Sequence, residues 1–208
     1  MTRSTRPPRA MTGPEFEAWL REMGQYEAYV ERQRQTDAEV ARLRAELRQA
    51  ERPVVEDLRA IGISVESVWD LVNVPSDYPK AVPVLREHLR KPYPPAVRDG
   101  IARALAVPTT RENGWDVLVD EYMKETVERV RQGLAAAIAA CATEDDLDQV
   151  LSLARDPANG ESRGLFLLAF GRIGSPKARA AVMELGGDPD LAYDAQRILR
   201  KLNRRKKR

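Results

Sequence analysis

Two chemically versatile residue types are almost missing: the 208 residues include one cysteine and one histidine. A lone Cys141 excludes an internal disulfide framework and fits a reducing cytoplasm. Flanked by Ala139, Ala140 and Ala142, it reads as a small buried core residue. A lone His88 has no second histidine or cysteine cluster with which to complete a metal site. Nor does it join a nucleophile–histidine–acid set, so a surface or half-buried helix position is expected. Long hydrophobic runs are missing too, since the longest, 134–142 and 164–171, are too short to span a bilayer. There is no glycine-rich phosphate loop, no Gly-x-Ser-x-Gly turn and no His-x-Glu deaminase signature. Together these absences point away from an enzyme, with no catalytic residue, cofactor or metal expected. The first residues carry Arg3, Arg6 and Arg9 but no apolar stretch, so no secretory signal is read. Residues 1–13 are expected to form a disordered leader, with Met11 as a second plausible start.

What the chain does have is charge, unevenly placed. Residues 200–208 hold seven Lys/Arg and no acid, and residues 1–9 hold three Arg and no acid. Setting those ten aside leaves 24 basic against 32 acidic residues over 10–199, a net of −8. An acidic body with basic ends runs opposite to a body built to grip phosphates.

Apolar residues recur at i, i+3, i+4 throughout, and almost no segment alternates with period two, which predicts an all-α chain. Pro53 is expected to open a short helix that ends at Gly62, with Ser64 capping the next through Val65, Val68, Trp69 and Val72. Ser175 and Pro176 read as an N-cap and first helical residue. Gly186 and Gly187 read as a left-handed stop, and Asp190 as the cap of a last helix. Ahead of these lies a charged segment, 14–52, that is one long helix or a pair, because Thr36 and Glu39 match a capping box. Val40, Leu43, Leu47 and Ala50 have coiled-coil spacing. That stripe serves either a homodimer or packing onto the chain's own domain.

From Pro79 onward the helices come in pairs that repeat. Aligning Arg98, Arg131 and Arg163 in the second helix of each pair gives spacings of 33 and 32 residues. Units of about 79–107, 114–142, 144–174 and 175–203 follow. A period in the low thirties signals a solenoid in which each unit needs its neighbours to bury its face. The helix from Arg163 to Ile173 is apolar nearly all round, through Leu165, Phe166, Leu167, Leu168 and Phe170, and so is expected to be enclosed on several sides.

Val97 and Arg98 followed by small apolar residues, and the run 169–178 with Gly171, Arg172, Gly174, Ser175 and Pro176, resemble HEAT or HEAT-like repeats over roughly 79–203. The resemblance implies an α-α superhelix, a HEAT-like solenoid over 53–203, here behind a long helical N-terminal extension. It implies antiparallel helix pairs whose second helices line the concave side. In many such repeats the arginine pairs with an aspartate of a neighbouring unit, and the loop 91–95 before Arg98 offers none.

These readings lead to a non-enzymatic scaffold or adaptor that binds another protein, with a basic partner favoured by the acidic body. Candidate contacts on the second helices are Asp99, Arg103, Glu128 and Gln132, expected to point away from the buried stripe Val97, Ile101, Leu105. Asp116, Asp120 and Glu121 form a candidate acidic patch. The alternative is a nucleic-acid binder, which the resemblance to HEAT-like DNA glycosylases supports, using the concave face or the tail Arg204, Arg205, Lys206, Lys207 and Arg208. A HEAT-like bilin lyase is a third class. The tail also suits an import signal or a merely solvated end.

Overall fold

The computed structural model describes residues 10–72, 74 and 77–206, with side chains to Arg204. The expected leader over residues 1–9, the side chains of Arg205 and Lys206, and all of Lys207 and Arg208 lie outside that description. Among the described residues every regular element is helical and none is a strand. By internal contacts the chain divides after Glu46 into two units.

In the N-terminal unit, α1 (Gly13–Glu22) starts at Thr12, whose amide and hydroxyl both donate to the Glu15 carboxylate at 2.9 and 3.0 Å. Gly13 is therefore helical rather than part of a leader. Gly24, at φ +65°, makes the turn that only glycine adopts freely. It leads into α2 (Tyr26–Ala60), which crosses the unit boundary. Phe16 stacks on Trp19 at 5.8 Å and meets Tyr29 edge-on at 5.6 Å, and Leu20 is buried beside them. The break in the charged segment thus falls at Gly24, not at Thr36. Thr36 sits mid-helix with its hydroxyl bonded back to the Arg32 carbonyl at 2.9 Å. Strong helix formers and the Arg42–Glu39 and Arg42–Glu46 pairs carry the helix through that point.

Pro53 does not open a helix either. It lies inside α2, where the buried side chains Val54, Val55 and Leu58 keep the helix continuous past it. The helix expected from Ser64 shrinks to α3 (Trp69–Val72), because other acceptors claim the preceding amides. Glu66 and Ser67 donate to Asp70, while Val68 N–H and the Ser67 hydroxyl donate to the buried Glu51.

Four helix pairs follow: α4 (Ala81–Leu89) with α5 (Pro95–Ala104), α6 (Thr110–Lys124) with α7 (Glu128–Cys141), α8 (Leu147–Arg155) with α9 (Arg163–Ile173), and α10 (Pro176–Leu185) with α11 (Ala192–Lys206). The second expected unit therefore begins at Thr110, not 114. Members of a pair touch each other, and the second helices also touch in succession, α5 on α7, α7 on α9 and α9 on α11. First helices touch at α4–α6 and α8–α10. One continuous hydrophobic core runs from Val54 to Leu202. Ser175 caps α10 through the Ala178 amide as expected. Gly186 ends it in a right-handed conformation, and the left-handed stop is Gly174, after α9. Asp190 does not cap α11; the turn before it is tied by Asp188, which accepts from the Asp190 and Leu191 amides. Asn203 to Lys206 continue α11, so the tail is helical that far.

Candidate partner-binding face

The three register arginines face inward, and each reaches a partner further along the chain. Arg98 meets Glu121 at 3.2 Å and also Glu125, on the next pair's first helix. Arg131 donates to Asn159 Oδ1 at 2.7 Å, and Arg163 reaches the Ala154 carbonyl at 2.8 Å and the Asp188 carboxylate. The acceptor missing from the loop before Arg98 is supplied by the following pair instead. Arg172 adds a backward tie to the Ala139 and Ala142 carbonyls.

Asp99, expected to point outward, is only 2% exposed. It accepts from Arg103 Nε at 2.7 Å and from Arg129 Nε at 2.8 Å. The reason is that α5 is covered on two sides, not one. Gly133 lets α7 lie directly over the carboxylate, since a Cβ there would come within 2.7 Å of Asp99 Oδ1. Arg103 is part-exposed, and Glu128 and Gln132 are half-buried. Gln132 donates to Glu128 at 3.3 Å and to Glu161 at 3.4 Å. Asp116 and Asp120 stay exposed on α6, Asp120 beside Lys124 at 2.5 Å, whereas Glu121 is held by Arg98. The seven candidates therefore do not form one patch: four lie on second helices and three on a first helix, and two carboxylates are already engaged by arginines.

His88 is buried at 1% exposure, correcting the expected surface or half-buried position. Its Nε2 lies 2.8 Å from Asp57 and its Nδ1 2.6 Å from the Tyr93 hydroxyl, a tie between α4 and α2. Cys141 is buried with Sγ 3.2 Å from the Val107 carbonyl, and burial pushes its thiol up to about 12. Among the described residues no group of three His, Cys, Asp or Glu could hold a metal, and no helix is long and apolar enough to cross a membrane.

Residues missed from sequence stand on the same register as Arg103 and Arg204, which were among the sequence candidates. Two places before each register arginine come Ala96, Arg129, Glu161 and, extending the spacing to α11, Tyr193. Five places after come Arg103, Ala136, Leu168 and Arg200, and nine places after come Val107, Ala140, Arg172 and Arg204. All are exposed or half-buried, Leu168 at 42% and Tyr193 at 73%. Leu168 thus opens one side of a helix expected to be enclosed on several sides, and Leu165 beside it is half-buried. The alignment of Arg98, Arg131 and Arg163 already held this information, because fixed offsets from a buried position mark one face. Near it, a cleft of about 480 Å³ opens between Pro157–Gly164 and Asp190–Asp194. A scan of family models finds no match to the chain, and searches of curated proteins and of solved structures find none either.

Proposed function

We propose that this chain is a non-enzymatic scaffold or adaptor built as a HEAT-like α-solenoid, and that it binds another protein through its row of second helices. Two features support the solenoid. Second helices pack in the same direction, with Gly164 against Asp194 and Gly171 against Ile198, and register arginines tie each pair to the next. One observation carries the function: Leu168 stands exposed at the middle of the row, flanked by half-buried Ala136, Ala140 and Leu165. Aliphatic groups at the centre of a face, with polar groups around them, suit a protein partner better than phosphates. A lone buried thiol suits a reducing cytoplasm.

A basic partner would meet the exposed Asp116 and Asp120 on α6, displacing Lys124 from Asp120, rather than the buried Asp99 or the arginine-held Glu121. The nucleic-acid reading retains one specific support, the exposed Arg197, Arg200, Lys201 and Arg204 on α11, continuous with the tail. A photo-crosslinking residue at position 168, compared with one at position 116, tests the assignment in cells of the source. An adduct with one protein from position 168 alone is expected. Adducts from position 116 alone, or sub-micromolar binding of DNA at about 150 mM salt, would overturn it.

A further inference from the structure

We propose that the occupant of the second-helix row is an acidic amphipathic helix of the partner protein, an inference that rests on the scaffold reading above. The net acidity of residues 10–199 suggests the opposite, but net charge is not local charge. At the three outward offsets of the row stand five arginines and one carboxylate, Glu161. Asp99 lies beneath two of those arginines and matches only one positive charge between them. Among the described residues neither Arg172 nor Arg200 meets a carboxylate. Arg172 uses its guanidinium on two backbone carbonyls, which fixes its position and leaves its charge uncancelled.

The apolar part has the matching shape. Leu165 and Leu168 are three residues apart on α9, and Ala136 and Ala140 are four apart on α7, so each pair lies on one face of its helix. The two helices pack together with small residues on the α7 side. That leaves a shallow strip in which a ridge of leucine-like side chains from a third helix seats. Arg103 and Arg129 border one end of the strip, Arg172 and Arg200 the other. A helix laid there with an apolar stripe and flanking Asp or Glu buries Leu168 and pairs its carboxylates at both ends. A nucleic-acid strand would use the arginines but leave the aliphatic centre desolvated without gain.

The test pans a display library of randomised amphipathic helices, roughly 18 residues long, on the full chain at about 150 mM salt, counter-selected on Leu168→Glu. Unchanged melting curves establish that the variants are folded. Enriched peptides are expected to carry net negative charge, and Arg200→Glu should weaken the winners by about tenfold or more, chiefly through the on-rate. Neutral or basic winners that still need Leu168 would overturn the acidic chemistry while leaving the scaffold reading intact. The absence of any Leu168-dependent winner overturns the inference, and the position-168 crosslink then decides the scaffold reading separately. Oligothymidylate that binds wild type and Leu168→Glu equally, and is lost in Arg200→Glu, would assign the face to nucleic acid instead.

Discussion

Two stretches of helix in this chain are stable for opposite reasons. Residues 31–46 of α2 are exposed on every side, sixteen in succession, and draw on helix propensity and local pairs such as Arg42 with Glu39 and Glu46. Helix α9 has almost no such pairs. It is held because α7, α8, α10 and α11 surround most of it. The first kind of helix is written in local sequence, and the second is set by neighbours some thirty residues away. Perturbing each should therefore spread differently.

The largest effect is expected at Phe166, which is fully buried with its ring edge-on to Tyr122 at 5.3 Å. Phe166→Ala should cost roughly 3–5 kcal/mol and lower the melting midpoint by on the order of 10 °C. Because α9 touches four helices, hydrogen exchange should accelerate across about 144–203 and not only within α9. Wild-type protection throughout that span would show that α9 is held locally after all.

Next comes the seam between second helices. Gly133→Ala places a methyl group 2.7 Å from Asp99 Oδ1 and 3.2 Å from Ala102 Cβ. Overpacking of this kind costs about 1–3 kcal/mol, enough to outweigh alanine's better helix propensity. In an Asp99→Ala background the first contact disappears, so the cost of Gly133→Ala should shrink. Denaturant titration of the four-member cycle reads that coupling, and strict additivity would break the packing argument.

A smaller effect sits where α8 begins. Arg111 grips Asp146 through two nitrogens at 2.8 and 2.9 Å, and the Thr143 amide and hydroxyl each donate to the same carboxylate at 2.8 Å. Burial pushes this carboxyl up, but the Thr143 and Arg111 contacts outweigh it and hold it below the ordinary range. A depressed folded-state value means the contribution is complete above the unfolded value, about 3.9, and is lost as pH falls through the folded one. The stability gap between wild type and Asp146→Asn should therefore be constant near neutrality and narrow below about pH 4. A gap independent of pH would remove the ion pair from the account.

This contrast also explains what could be read from sequence. The pairs from Pro79 onward were legible because their period is a tertiary signal repeated four times, and the buried stripe of Val97, Ile101 and Leu105 followed from helical spacing. Pro53 and Ser64 misled because local rules were outvoted: buried valines carried α2 through the proline, and Asp70 and Glu51 claimed the amides that Ser64's helix would have used. Asp99 misled for a related reason. Opposite to one buried face does not mean exposed when a second neighbour covers the other side, and only the contact with Gly133 reveals that neighbour. His88 was hidden similarly, its partner Asp57 lying 31 residues earlier.

The smallest effect is expected in the exposed stretch, where it carries the most information. Val40 and Leu43 are 38% and 45% exposed, while Leu47 and Ala50, the next positions of the same stripe, pack against the core of the C-terminal unit. The free seam is thus about one heptad, too short for a stable coiled coil. Val40→Glu with Leu43→Glu should shift stability by no more than about 0.5 kcal/mol, as exposed substitutions do. Sedimentation should report a monomer for both proteins at tens of micromolar, the range in which a weak homodimer would appear. A wild-type dimer abolished by the double variant would give residues 31–46 a partner of their own. The two stretches would then differ only in whether their neighbour belongs to the same chain.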